Sequence, residues 1–95
     1  MTHEVGLSVA WWGGALLVAG ELDVDTEPVL RRAIADHAGT GRVVLDMNRC
    51  AFIDADALGA ILETGRRGVT VVVRRPSEPV RRALAGVEEL VTIED

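Results

Sequence analysis

The sequence contains no lysine: all ten basic residues are arginine, set against fifteen Asp and Glu, for a formal net charge of −5. Phosphate attraction needs a net or local positive field, so this balance argues against a nucleic-acid partner. Cysteine is scarce as well. A single residue, Cys50, excludes an internal disulfide and any zinc cluster built on cysteines. Long apolar runs are also missing. The longest, Ala15–Ala19 and Val69–Val73, are far too short to cross a bilayer, which excludes membrane insertion by a helix. Met1-Thr2-His3-Glu4 lacks the basic region of a signal peptide, and the apolar stretch after it is broken by Gly13-Gly14. A cytoplasmic, soluble protein is expected.

What is present is enough for a core. Hydrophobic residues make up 48% of the 95, far above what a disordered chain offers, and the length suits a single domain over residues 1–95. Val5, Leu7, Val9 and Trp11 alternate with smaller residues at the period of a half-buried strand. Gly13-Gly14 predicts a tight hairpin into a second strand, Ala15–Ala19. Thr26 is placed to cap a helix with Glu27 and Pro28 in its first turn and Val29, Leu30, Ala33 and Ile34 at helical spacing. Gly39 and Gly41 are expected to end it. Val43-Val44-Leu45 reads as a short strand buried on both faces. Asp54 or Asp56 then opens a helix carrying Ala57, Leu58, Ala60, Ile61 and Leu62, stopped by Gly65 and Gly68. A strand over Val69–Val73 follows, then a helix capped by Ser77 with Val80, Ala83 and Leu84 as its stripe, and a last strand within Leu90–Ile93. The fold class is therefore α/β: a mixed sheet of four to five strands under about three helices, in the order β-β-α-β-α-β-α-β. Segments Glu21–Asp25 and Asp54–Asp56 both leave the carboxyl ends of parallel strands, where open α/β sheets place their sites. They should meet on one surface.

These residues also carry a resemblance. Gly20-Glu21-Leu22-Asp23 running into a helix resembles the Gly-Glu-(Leu/Ile)-Asp signature of STAS domains. Val43-Val44-Leu45-Asp46-Met47, then Phe52-Ile53-Asp54 and Ala57-Leu58-Gly59, is similar to the strand, Phe-Ile-Asp and Asp-Ser-Ser-Gly-Leu block of that family. Pro76-Ser77-Glu78-Pro79-Val80-Arg81-Arg82-Ala83-Leu84 matches its end, so the likeness covers essentially the whole chain, to Ile93. It implies an anti-sigma factor antagonist: a binding module, not an enzyme, that docks on a serine-kinase-like anti-sigma factor and is released when a serine at the start of the second helix is phosphorylated. Here that block reads Asp54-Ala55-Asp56-Ala57, so the phosphosite-equivalent position is Asp56 and no hydroxyl is available. The second helix also reads as roughly one turn of about 3.6 residues shorter than the family's. On this resemblance the partner-binding residues are Glu21, Asp23, Asp54, Ala55, Asp56, Ala57 and Leu58, with no cofactor and no metal. The alternative is a cytosolic accessory subunit of a lipid-transport or signalling complex, where a missing phosphoserine would be no loss. Arginine-only usage with abundant Ala, Val and Gly fits a GC-rich bacterial genome.

Plainer roles compete for the same residues. A carboxylate at a helix start accepts free backbone N–H groups, so Asp54 and Asp56 are candidate caps. Asp46, Asp54 and Asp56 supply the residue types of a magnesium pocket, but no lysine accompanies them. Cys50 reads as a small buried hydrophobe. His3 falls in a terminus expected to fray, and His37 near a helix end. The arginine pairs 31-32, 66-67, 74-75 and 81-82 read as solvated faces, with 66-67 and 74-75 also suited to an interface. Of Trp11 and Trp12, on opposite strand faces, one indole should be core and the other free to contact a partner or a second copy in a homodimer.

Overall fold

The computed structural model describes residues 2–4 and 6–95, the first three as backbone only. Val5, expected in the opening strand, lies outside them. Side chains along a strand alternate between faces, so apolar residues at every second position build one buried face. On that pattern β2 (Leu7–Trp12) buries Leu7 and Val9, and β3 (Ala15–Leu22) buries Leu16, Val18 and Leu22. The two form the expected hairpin, with Trp12 opposite Ala15. Gly13 and Gly14 have φ of 60° and 80°, the left-handed geometry that fits a two-residue turn to the twist of its strands. A further strand, β1 (Thr2–Glu4), pairs antiparallel with β2. His3, expected in a frayed terminus, is opposite Ser8 in the sheet.

Three crossovers follow: α1 (Glu27–His37) to β4 (Arg42–Ile53), α2 (Ala55–Arg66) to β5 (Thr70–Arg74), and α3 (Glu78–Leu84) to β6 (Thr92–Glu94) by way of a 3-10 turn at Glu88–Leu90. The strands lie in the sheet in chain order, antiparallel from β1 to β3 and parallel from β3 to β6. The mixed sheet and its three helices come in the expected order; among the described residues the sheet has six strands, and β1 is the addition. Leu30, Ala33 and Ile34 of α1, Ala57 and Ile61 of α2, and Val80 and Leu84 of α3 are buried in one cluster with Leu45, Val71 and Val73. All three helices therefore cover one face. Among the described residues the other face holds a small buried apolar patch of Ala15, Val44 and Val72, with Asp46 buried near it.

The sequence reading differs from the structure in several elements, each for a local reason. β4 runs far beyond Val43-Val44-Leu45 because its pairing with β3 absorbs extra residues at two register shifts, between Leu17 and Ala19 and between Gly20 and Glu21. Polar Asn48-Arg49 sits at the first shift and breaks the alternation that marks a strand. Gly65 does not stop α2; it lies inside the helix, where a Cβ would come within 3.4 Å of the Leu90 carbonyl. Neither indole is core. Trp11 and Trp12 are 48% and 75% exposed, since they end the hairpin strand, and Trp11 stacks on His37 at 4.4 Å rather than entering the core. His37 is held at the end of α1 by its Nδ1 against the Ala33 carbonyl at 3.0 Å.

Candidate functional site

Parallel pairing carries β3 and β4 to the same edge, with Glu21 opposite Phe52 and Leu22 opposite Ile53. The Asp54 N–H then donates to the Leu22 carbonyl at 3.0 Å. The loops into α1 and α2 therefore start side by side, and the two acidic segments meet as their sequence positions imply.

The first loop is closed on itself. Asp23 Oδ1 accepts from the backbone N–H of Asp25 and of Thr26, both at 3.0 Å, and lies 3.2 Å from the Thr26 hydroxyl. Thr26 is buried; its Oγ1 donates to the Glu21 carbonyl at 2.7 Å and accepts from the Asp23 N–H at 3.0 Å. Thr26 thus stands at the N-cap position of α1 without making the expected cap bond, because its hydroxyl ties the loop back to the strand. Gly20 anchors the base of this loop. Its φ is 108°, and a Cβ there would collide with the Gly6 carbonyl, which also accepts from the Glu21 N–H at 2.6 Å. Only glycine fits both conditions. Gly20 and Asp23, half of the signature motif, are therefore spent on shaping the loop.

The second loop is arranged differently. Asp54 is the N-cap of α2, with extended backbone (φ −101°, ψ 179°) and its Oδ1 accepting from the Ala57 N–H at 2.9 Å. Of the two residues that could open the helix, it is Asp54 that does so. Asp56 follows in the first turn, exposed, and its carboxylate makes no hydrogen bond or ion pair among the described residues. Next to the positive end of the helix dipole such a charge is favoured without being consumed. Ala55 is exposed, and Leu58 is half-buried against the core. Ala57 departs from expectation: its methyl is fully buried in the core and presents no surface to a partner.

Two further apolar residues are exposed at this edge. Phe52, next to Glu21 in register, is 48% exposed, and Val24, in the first loop, is 61% exposed. The second register shift places Phe52 outward, and no alternation pattern in the sequence forecasts a shift. Val24 could have been found, as an apolar residue set among acids in a loop.

The remaining candidates lie elsewhere. Asp46 is buried under Arg75 in a bidentate-donor ion pair, and no group of three His, Cys, Asp or Glu among the described residues is arranged to hold a metal. Arg66 and Arg67 pair with Glu63 of their own helix, and Arg74 with Glu94 of β6. Cys50 is buried, its thiol pKa pushed up by that burial, which leaves little thiolate for chemistry. Ser77 does not cap α3 with its side chain; its hydroxyl donates to the Cys50 carbonyl at 2.6 Å and fastens the helix start to β4.

With this architecture in place, a family model described as "Mlab, STAS domain" matches residues 12–92. The chain belongs to the STAS domain family. Two solved structures share this fold. One, from Thermotoga maritima and provisionally described as an anti-sigma factor antagonist, is 19% identical with a TM-score of 0.72, covering 94% of this chain and 86% of that one. The other, described as an anti-sigma factor antagonist from Mycobacterium paratuberculosis, is 21% identical with a TM-score of 0.72, covering 93% and 83%. At these identities the likeness is one of fold. No curated protein matches the sequence significantly. Among the described residues no helix of this STAS chain is long and apolar enough to cross a membrane.

Proposed function

We propose that this protein is an anti-sigma factor antagonist that binds a serine-kinase-like anti-sigma factor in the cytoplasm, as a single STAS domain over residues 1–95 with no chemistry of its own. One observation supports it above the others: Asp56 stands exposed at the start of α2 with no partner among the described residues, on the edge that also exposes Phe52 and Val24. Interfaces of this kind combine an apolar anchor with charged groups that set register and association rate. Glu21, Ala55 and Leu58 border that surface, Asp54 and Asp23 hold it in shape, and Ala57 packs beneath it.

A phosphoryl group at a helix start would add about −1.5 to −2 charges and three acceptor oxygens. Asp56 supplies one permanent charge in planar form, so the serine switch is absent and a carboxylate is what the partner reads. Incubation with ATP and a serine-kinase-like anti-sigma factor from the native host tests both halves. A complex should form, and intact-mass analysis should find no phosphate on residues 54–64. The one hydroxyl there, on Thr64, donates to the Ala60 carbonyl at 3.0 Å inside α2. A phosphate mapped to that window, or no complex, would overturn the reading.

A second reading, an accessory subunit of a lipid-transport or signalling complex, draws support from the missing hydroxyl at position 56, which such a subunit does not need. Transporter genes beside this one, and co-purification with their ATPase instead of a kinase-like protein, would favour it.

A further inference from the structure

Because the three helices pack on one face, the opposite face of the sheet carries no helix among the described residues, and on β2 and β3 its floor is Ser8, Ala10 and Ala19 beside one larger residue, Leu17. Ser8 lies opposite Ala19, and Ala10 opposite Leu17, so the surface sinks where larger residues would fill it. The result is a cavity of about 440 Å³. Small-molecule sites commonly measure roughly 300–1,000 Å³. Its far wall carries Asp46, Asn48, Arg49 and Arg75. None of the lining residues belongs to the acidic edge.

The wall is built rather than incidental. Asp46 is buried in mid-strand, and its Oδ2 accepts from Arg75 Nε at 3.1 Å and from Nη2 at 2.8 Å. Arg75 has a φ of 48°, the one non-glycine residue in the left-handed region among those described. Such a backbone costs on the order of 1–3 kcal/mol and persists where surrounding contacts over-determine it. Here the contact with Asp46 fixes the guanidinium at the cavity and leaves its Nη1 unused. Arg49, on the same wall, is exposed and has no ion pair among the described residues. Two arginines against one aspartate give the lining a charge of +1.

We propose that this cavity binds a small monocarboxylate with a short apolar body. The carboxylate lies between Arg49 and Arg75, whose planar donors match its two oxygens. The apolar body covers Ala10, Leu17 and Ala19. A single negative charge fits the +1 lining, whereas a phosphate dianion would meet the Asp46 carboxylate with charge to spare. Asp46 is a positioning residue, holding one arm of the site.

The test is an amide-shift titration of the full chain by NMR with octanoate, with inorganic phosphate and octylamine as comparison probes. Octanoate should give saturable shifts at Ala10, Ala19 and Asn48, half-complete on the order of 1 mM as suits so small a ligand. Arg49→Ala, on an exposed side chain that the fold does not need, should weaken it about tenfold while leaving the rest of the spectrum in place. Arg42→Ala, outside the cavity, should leave the affinity unchanged. Absence of saturable shifts, equal binding of octylamine, or an Arg49→Ala variant that binds as tightly as the parent would overturn the proposal. Saturation by phosphate without octanoate would overturn the assignment to a carboxylate.

Discussion

The loops into α1 and α2 begin side by side, leave equivalent strand ends and are both acidic. Each has one exposed aspartate, Asp25 or Asp56, yet the aspartates that shape them, Asp23 and Asp54, gather different numbers of donors. In the first, the Asp23 carboxylate is met by two backbone N–H groups, with the Thr26 hydroxyl beside it, all within the loop itself. In the second, Asp54 accepts one N–H from its own helix, and Asp56 meets no donor among the described residues. Carboxylates that gather local donors become scaffold, because backbone N–H groups at a turn or helix start need acceptors. A carboxylate with no donors is free for another molecule. Residue type alone does not separate the two cases; the count of nearby donors does.

The sharpest way to break the first loop is at its base. Gly20→Ala forces a side chain onto a left-handed backbone and into the Gly6 carbonyl, which lies in the turn between β1 and β2. It should cost at least about 2 kcal/mol, read as a lowered denaturant midpoint. An unchanged midpoint would show that the turn at Gly6 yields easily. Asp23→Ala should come next, at about 1–2 kcal/mol, since it strands the N–H groups of Asp25 and Thr26. Any weakening of partner binding by this variant should be matched by its loss of stability. Asp54→Ala removes one cap bond and should cost about 1 kcal/mol. If Asp54→Ala proved costlier than Asp23→Ala, the division between a closed loop and an open one would fail.

How far the sequence anticipates this arrangement depends on the kind of pattern involved. Alternation in β2 and β3, the Gly13-Gly14 turn and the helical stripes of Leu30, Ala33 and Ile34 or Ala57 and Ile61 are local periodicities, and the fold class follows from them. So does the meeting of the two acidic segments, since parallel strands joined by helices leave both loops at one edge. The length of β4 was not legible, because its register shifts arise from pairing with β3 and leave no periodic trace. The exposure of Phe52 depends on one of those shifts. Thr26 and Ser77 read as helix caps by type, but the Thr26 hydroxyl turns back to the Glu21 carbonyl at the end of β3, and the Ser77 hydroxyl finds the Cys50 carbonyl of β4, a contact between elements that only the packed structure creates. Trp11 and Trp12 mislead for a related reason: strand parity gives the face of an indole and says nothing of whether a helix reaches far enough to cover it.

The smallest effect on the fold is expected at Asp56, and there the effect on binding matters most. Asp56→Ser restores the hydroxyl that the family resemblance implies and removes one charge from an exposed position, so stability should change by no more than about 0.5 kcal/mol. Calorimetric titration of both forms against the same kinase-like anti-sigma factor tests whether a permanent carboxylate is what the partner reads. The serine form should bind more weakly by about 1.5–3 kcal/mol, the loss of a charge-assisted hydrogen bond. Tighter binding by the serine form would contradict the account and make Asp56 a mimic of the released state; equal affinities would contradict it too, leaving Asp56 as a charge that favours the start of α2.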